Sequence, residues 1–221
     1  MFKFVSIGLT LVSALSPASA DAPKAESAVT AHVLRPAKLD PTAERLATLK
    51  LPSKFVIEVF ADGLEKPRML AVAKDGTVYV TRREPGDVWM LKDADGDGRA
   101  EIKKKLVTKQ HLHGIALHGN DVYLIAAAEV FTTRRLKDGS FGPLKTLITD
   151  LPSGGQHNNR TAAVCPDGKL YISVGSTCNA CKETGKESAT LLQLDRTGKH
   201  RKVFASGLRN TIGSLPMVRC S

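Results

Sequence analysis

The sequence has few cysteines, few aromatic residues and no long apolar run. Its four cysteines include one close pair, Cys178 and Cys181, with no second Cys or Cys/His pair to complete a zinc site. We predict that the pair forms a local disulfide in an oxidising compartment. Free thiols remain the alternative. A thioredoxin-like redox role is not favoured, because that motif needs a helix N-terminus in an α/β setting.

The positive net charge does not indicate a nucleic-acid-binding protein. The charge of +10 is spread along the chain, and aromatic residues make up only 5% of it. Basic side chains that bind nucleic acid are usually clustered and interleaved with aromatic residues. We therefore expect no nucleic-acid partner, and we expect attraction to anionic small molecules or a plain solvated surface.

The start of the chain is typical of a secretory signal. An apolar run from Phe4 to Leu15 follows Met-Phe-Lys, precedes Pro-Ala-Ser-Ala at 17–20, and is too short to span a bilayer. We predict a signal peptide at 1–20, an Ala-, Pro- and Lys-rich arm at 21–50 before a first strand near Leu51, and a β-domain at 51–221. The predicted location is secreted or periplasmic, without a stable membrane span.

Three segments share one pattern: an apolar run, a turn of Gly, Asp or Asn, and a second apolar run carrying a tyrosine. Each is typical of a β-hairpin. The tyrosines Tyr79, Tyr123 and Tyr171 are 44 and 48 residues apart, which matches the length of a four-stranded propeller blade. We therefore predict an all-β fold, a β-propeller.

A fourth unit is predicted to begin at Phe204, where Phe-Ala-Ser-Gly-Leu resembles Phe-Ala-Asp-Gly-Leu at 60–64. About 170 residues at roughly 45 per blade supply three blades and the start of a fourth. Residues 214–221 then abandon the pattern. We expect a C-terminally truncated propeller.

Polar residues stand at matching positions before the first apolar strand of successive units. These are His113, His157 and the pair Arg209 and Asn210. If the first strands are the innermost ones, their side chains converge at the mouth of a central channel, where ligands bind. We predict a pocket there, with His113 among the residues that contact the ligand.

A separate Asp/Gly-rich segment has the spacing of a calcium loop. Asp93, Asp95, Asp97 and Glu101 occupy loop positions 1, 3, 5 and 9, with Gly at position 6. Lys104 stands at position 12, where a bidentate Glu is expected. The segment is predicted to be either a structural Ca²⁺ site with Asp93, Asp95 and Asp97 as ligands or a plain turn between outer strands.

Three long motifs lie at residues 154–161, 166–181 and 204–213: Gly-Gly-Gln-His-Asn-Asn-Arg-Thr, Pro-Asp-Gly-Lys-Leu-Tyr-Ile-Ser-Val-Gly-Ser-Thr-Cys-Asn-Ala-Cys and Phe-Ala-Ser-Gly-Leu-Arg-Asn-Thr-Ile-Gly. Together they resemble the glucose/sorbosone dehydrogenase family, most closely its sorbosone dehydrogenase-like branch. The resemblance runs from about residue 51 to 213. Members of this family are six-bladed propellers that use pyrroloquinoline quinone (PQQ).

The resemblance implies a chemistry for the polar residues. His157 matches the histidine that removes a hydroxyl proton while hydride passes to the quinone. Imidazole suits this task because its ordinary pKa lies near neutral pH. Arg209 and Asn210 match the pair that contacts PQQ, and Ca²⁺ would polarise the quinone oxygen. The implied substrate is an aldose or a sorbosone-like sugar aldehyde, and the electron acceptor is not indicated.

The sequence also departs from the family's pattern. Ser176 stands where the glucose-oxidising branch has an aspartate that orients the histidine, and Thr161 replaces an arginine that occurs here one place earlier, as Arg160. Glucose itself is therefore not the expected substrate. The family's calcium ligands and further basic contacts lie in later blades, so this chain is expected to bind PQQ weakly and to be inactive alone.

Two other classes of function stay open. One is a non-catalytic propeller fragment or binding module, which incorporation of PQQ and Ca²⁺ would exclude. The other is a calcium-dependent lactonase-like hydrolase. That reading needs carboxylates at the channel mouth, where the sequence offers His, Arg and Asn.

Overall fold

A computed structural model describes residues 39–40 and 42–213 of the chain. The chain divides into two compact units, Met1–Asp40 and Pro41–Ser221. The predicted signal peptide at 1–20 and the tail at 214–221 lie outside the described residues. The described part of the predicted arm includes a short helix, α1 (Ala43–Ala47), whose N-cap is Thr42.

The described part of the second unit is built from twelve strands in three sheets. The strands are β1 (Leu70–Val72), β2 (Val78–Arg82), β3 (Asp87–Lys92), β4 (Ile102–Thr108), β5 (Gly114–His118), β6 (Asp121–Ile125), β7 (Val130–Arg134), β8 (Lys145–Ile148), β9 (Ala162–Val164), β10 (Leu170–Val174), β11 (Thr190–Leu194) and β12 (Lys202–Ser206). Each sheet has four consecutive antiparallel strands in sequence order. The predicted all-β propeller architecture is confirmed, because four-stranded antiparallel sheets are the blades of that fold.

The repeating tyrosines mark the same position in each sheet. Tyr79, Tyr123 and Tyr171 lie in the second strands β2, β6 and β10, and all three are buried. The hydroxyl of Tyr79 donates at 2.7 Å to Gly139 O, in the β7–β8 connection of the next blade. Each tyrosine thus buries an apolar ring, and Tyr79 also ties neighbouring blades together.

Apolar side chains fill the space between adjacent sheets. The first and second sheets share a core that includes Val88, Leu112 and Leu124, and the second and third share one that includes Ile125, Ile148 and Leu192. Burial of such faces on both sides of a blade is the main source of stability in this fold.

The predicted first strand near Leu51 is wrong. Residues 51–69 contain no strand, and β1 begins at Leu70. Phe60 and Leu64 instead pack on the first sheet against Val80 and Leu91, and Phe60 O accepts a hydrogen bond from Ala100 N at 2.8 Å. Only the later apolar residues of this segment thus cover a face of the first sheet, because Leu51, Phe55 and Val56 are exposed.

Phe204 lies in β12, the fourth strand of the third sheet. The sequence repeat that begins at Phe204 therefore starts with the last strand of one blade and not with a strand of a new sheet. Residues 207–213 continue from β12 without strand structure. The sequence repeat and the blade are offset by one strand.

A buried ion pair fixes the β2–β3 turn. Arg82 and Asp87 are 9% and 3% exposed, and two bonds join them, from Nε to Oδ1 at 2.7 Å and from Nη2 to Oδ2 at 2.6 Å. Burial raises the pKa of Asp87, but the hydrogen bonds and charge of Arg82 outweigh it, and the pKa lies below its ordinary value.

We expect Asp87→Asn to lower the free energy of unfolding at pH 7 by about 3 kcal/mol, because it removes the buried carboxylate paired with Arg82 and leaves only the exposed Glu65, 3.8 Å from Nη1. The native pKa of Asp87 is depressed, so this stabilisation is complete above the unfolded pKa near 4 and is lost as pH falls through the native pKa. Urea unfolding of both proteins from pH 7 to pH 2 should therefore show a shrinking difference. Asp62→Asn, at an exposed pair with Lys103, is the control with a much smaller effect. A difference that stays constant with pH would contradict the assignment.

Candidate functional site

The first strands of the three sheets lie side by side. β1 packs beside β5, and β5 packs beside β9. These are the inner strands of an arc of blades. The prediction that the polar side chains converge at a channel mouth required this arrangement. Because these strands run in the same sense around the arc, the segments preceding them meet at one end, which we call the inner mouth. It comprises Arg68, His113, residues 152–161 and residues 207–211.

His157 lies at the inner mouth in the loop before β9. Its backbone N–H donates to Ser176 O at 3.3 Å, which lays the loop along the segment following β10. A Cβ at Gly175 would lie 2.3 Å from His157 O and 2.8 Å from His157 Cβ. Only glycine at position 175 permits this approach, so the backbone places the imidazole directly beside the end of β10.

Asn179 joins His157 to Arg209. Its side-chain oxygen Oδ1 lies 3.2 Å from His157 Nε2 and accepts a hydrogen bond from Arg209 Nη2 at 2.5 Å. An imidazole and a guanidinium separated by 52 positions in the sequence thus share one oxygen atom. The structure brings together the two residues that the sequence singled out, through a third that it did not.

The segment carrying Arg209 and Asn210 is anchored to the third blade. Ser176 N donates to Arg209 O at 2.8 Å, and the hydroxyls of Thr161 and Ser173 each lie 3.1 Å from Thr211 O. The side-chain Oδ1 of Asn210 is buried and has no hydrogen-bond partner in the part of the chain that the structure describes. Such an unpaired polar atom is costly unless a ligand satisfies it.

Arg160 is a buried cation under the His157 loop. It is 1% exposed, and its guanidinium donates to the carbonyls of His157 at 2.8 Å, Asn159 at 3.0 Å and Pro152 at 2.5 Å. Among the described residues it has no carboxylate partner. Burial, assisted by the charge of Arg83, lowers the pKa of Arg160 to about 10, so the side chain stays charged at neutral pH.

His113 does not face the mouth as the sequence predicted. The ring is 2% exposed, and its Nδ1 lies 2.9 Å from Arg160 O. Burial lowers the pKa of His113, and the charges of Arg68, Arg83 and Arg160 lower it further. The ring is therefore neutral and supports the inner mouth from below. Its placement gives no support for direct contact with a ligand, because the ring is buried against the backbone of Arg160.

A cavity of about 450 Å³ opens beside Asn179 and Arg209, and its other lining residues include Ser176, Glu183 and Lys186. A disulfide between Cys178 and Cys181, with a Cα–Cα distance of 6.0 Å, closes the short loop that carries Asn179. The Ser176 hydroxyl donates to Cys178 O at 2.7 Å, whereas the His157 ring bonds to Asn179. Ser176 thus braces the Asn179 loop.

The Asp/Gly-rich segment lies between β3 and β4, away from the inner mouth. Carboxylate oxygens of Asp93, Asp95, Asp97 and Glu101 lie within 4.8 Å of one another. Asp93 accepts hydrogen bonds from Gly96 N at 2.6 Å and Gly98 N at 2.9 Å, and these bonds lower its pKa. This geometry is compatible with a bound cation and also with a plain turn, so Ca²⁺ binding here stays a prediction.

The sequence did not predict that Asn179 joins His157 to Arg209 or that Arg160 is buried under the His157 loop. One signal for Asn179 was available, because it lies between the paired cysteines.

Within the described residues, no helix is both long enough and apolar enough to cross a membrane.

The fold and the inner mouth define the class of protein: an arc of propeller blades with an imidazole and a guanidinium held side by side at one end. The comparisons identify the family. A model of the TrAA12-like family matches residues 49–215, and the chain belongs to that family. The resemblance to PQQ-dependent sugar dehydrogenases is confirmed at this level; the sorbosone branch stays a prediction.

Solved structures share the fold at low sequence identity. The holo PQQ domain of pyranose dehydrogenase from Coprinopsis cinerea has a TM-score of 0.62 and 20% identity, over 70% of this chain and 42% of that one. PQQ-bound aldose sugar dehydrogenase from Streptomyces coelicolor has a TM-score of 0.54 and 19% identity, over 71% and 55%. The chain therefore spans about half or less of the length of these proteins.

One curated protein matches a short stretch. Human gamma-sarcoglycan is 35% identical over 69 residues, which are 31% of this chain and 21% of that protein. The stretch is too short in both chains to assign a family.

Proposed function

We propose that the chain supplies the base and part of the cofactor cradle of a PQQ-dependent enzyme that oxidises an aldose or a sorbosone-like sugar aldehyde. The observation that supports this most strongly is the shared contact at Asn179, which holds the His157 imidazole and the Arg209 guanidinium together. A proton acceptor beside a fixed cation is what removal of a hydroxyl proton and transfer of negative charge to an oxidant require.

The residues present fit an anionic, hydrogen-bonding cofactor. Arg209 is exposed and lines the cavity beside Asn179, and Asn210 carries a buried amide oxygen without a described partner. Arg68, Arg83 and Arg160 add positive charge close enough to depress the pKa of His113. Carboxylate groups of PQQ would find charge-assisted hydrogen bonds here.

The proposed roles follow from the chemistry of each side chain. When bound, PQQ supplies a two-electron acceptor. His157 takes the proton of the substrate hydroxyl as the C–H bond breaks and its electron pair leaves as hydride for that acceptor. Arg209 stabilises the negative charge that results. Arg160, whose guanidinium donates to the loop carbonyls and to Asn158 Oδ1, holds the imidazole in place.

Narrower predictions belong to the same proposal. They are a sorbosone-like substrate, a Ca²⁺ ion beside the cofactor, and secretion or export to the periplasm. The sequence-derived expectation that the chain alone binds PQQ weakly also remains, since the solved relatives extend well beyond the matched region.

We expect Arg209→Gln to weaken PQQ binding at least about tenfold, because one charge-assisted contact contributes about 1.5 to 3 kcal/mol. Equilibrium dialysis measures this in a complete ring, meaning residues 49–215 extended to the full length of the solved relatives, of which this chain spans about half. Arg134→Gln is the matched control. It removes the same charge from an exposed arginine on β7 that pairs with Asp121 on β6. Equal affinities for all three proteins would remove Arg209 from the cofactor site.

A further inference from the structure

The contact at Asn179 fixes which nitrogen of His157 carries a proton. An arginine guanidinium can only donate hydrogen bonds. The Asn179 atom that Arg209 Nη2 contacts at 2.5 Å must therefore be the amide oxygen and not the amide nitrogen. The chemistry of the partner thus assigns the oxygen and the nitrogen of the amide, which must be inferred from hydrogen bonds for an Asn side chain.

The same oxygen lies 3.2 Å from His157 Nε2. Because an amide oxygen can only accept, Nε2 must be the donor, and in the neutral imidazole the lone pair then resides on Nδ1. Among the described residues Nδ1 of His157 has no hydrogen-bond partner, and it is not a buried atom. The free lone pair is thus the accessible one.

We infer that Asn179 is a positioning residue: bonded to Arg209, it holds His157 as the Nε2–H tautomer and leaves Nδ1 to receive the substrate proton. The role of Nδ1 as proton acceptor rests on the proposed function, whereas the tautomer rests on the hydrogen bonds alone. In the reaction the hydroxyl O–H bond breaks and its proton goes to Nδ1. The adjacent C–H bond breaks with its electron pair, which reduces the bound PQQ, and a C=O bond forms.

The loop around Asn179 is built to hold one position. The Cys178–Cys181 disulfide flanks it on both sides. Glu183 accepts from Thr177 N at 2.8 Å and from the Thr177 hydroxyl at 2.9 Å, and the Ser176 hydroxyl donates to Cys178 O. These contacts restrict the rotamers of Asn179. Asn179 therefore keeps its hydrogen bond to His157, and the imidazole keeps one tautomer.

His113 provides an internal reference of the opposite kind. Its Nδ1 lies 2.9 Å from a backbone carbonyl, Arg160 O. A carbonyl only accepts, so His113 is the Nδ1–H tautomer and its lone pair is on Nε2. The two histidines of the inner mouth should therefore show opposite tautomers in one spectrum.

The test is two-bond ¹H–¹⁵N NMR of the ¹⁵N-labelled 221-residue chain above the histidine pKa range, without PQQ. His157→Gln and His113→Gln assign the ring signals. We expect His157 as Nε2–H with a protected ring proton, and His113 as Nδ1–H. In Asn179→Ala the His157 Nε2 proton should exchange about tenfold faster, as loss of one hydrogen bond predicts, and the ring should become a tautomer mixture.

Three comparisons keep the result decisive. Asn179→Asp keeps an acceptor at the same place and should retain the Nε2–H form, whereas Arg209→Leu frees the amide to rotate and should weaken it. Unchanged His113 signals show that each variant is folded. A lone pair on Nε2 in the wild-type chain, or a His157 ring indifferent to Asn179→Ala, would overturn the assignment. Failure of PQQ binding would instead overturn the proposed function and leave this tautomer result standing.

Discussion

Arg160→Met is expected to lower the free energy of unfolding by about 3 kcal/mol and to release the His157 loop. The substitution removes the donor to three carbonyls, those of Pro152, His157 and Asn159. Breaking a buried charged network costs about 3 to 5 kcal/mol, and relief of the desolvated charge offsets part of that. Methionine fills similar space, so a cavity is not the cause. The measurement is urea unfolding together with hydrogen exchange of residues 152–160.

Two variants distinguish the effect of the Arg160 hydrogen bonds from the effect of its positive charge. Arg160→Lys keeps the charge, but a single ammonium cannot reach diverging carbonyls as the guanidinium fork does. We expect it to lose most of the same stability. Arg134→Met removes an exposed arginine from β7 and should change stability much less. If Arg160→Met and Arg134→Met unfolded at the same urea concentration, Arg160 would not be what holds the loop.

The blade pattern could be predicted because it depends on local, repeated information. Alternating apolar residues and Gly/Asp turns recur with a spacing set by four strands, and the three tyrosines recur with them. The segment at 51–69 could not be predicted in the same way. Phe60 and Leu64 pack on a sheet face while Phe55 and Val56 are exposed, and a strand needs a neighbouring edge that composition does not reveal.

The site residues that occupy equivalent positions in successive sequence units could be predicted. Those whose role depends on contacts between distant segments could not. His157 and Arg209 precede equivalent points in successive units, and the structure places both on Asn179. Arg160 was not predicted as a buried residue because arginine is mostly exposed in proteins. For His113 register fixes only which end of the blade the residue occupies and not its exposure, and the ring there is buried, so its contact with a ligand stays a prediction.

His157→Ala is expected to reduce sugar oxidation about 10²- to 10⁴-fold, the range that general base catalysis contributes. The reaction is measured as dye-linked oxidation of aldoses by a complete ring that contains residues 49–215, loaded with PQQ and Ca²⁺. PQQ affinity should change little, because Arg209 and Asn210, not His157, are the proposed cofactor contacts. A loss in turnover with cofactor affinity preserved would separate the proton acceptor from the cradle.

His200→Ala is the matched control for that substitution. His200 is an exposed imidazole bonded to Asp195 in the turn before β12, so its removal should leave turnover unchanged. Glutamine at position 157 can still donate to Asn179 but cannot accept a proton at neutral pH, so His157→Gln should be as inactive as His157→Ala. If His157→Gln kept wild-type turnover, the imidazole would serve only to position its neighbours, and the proton would have to pass to another group at the inner mouth.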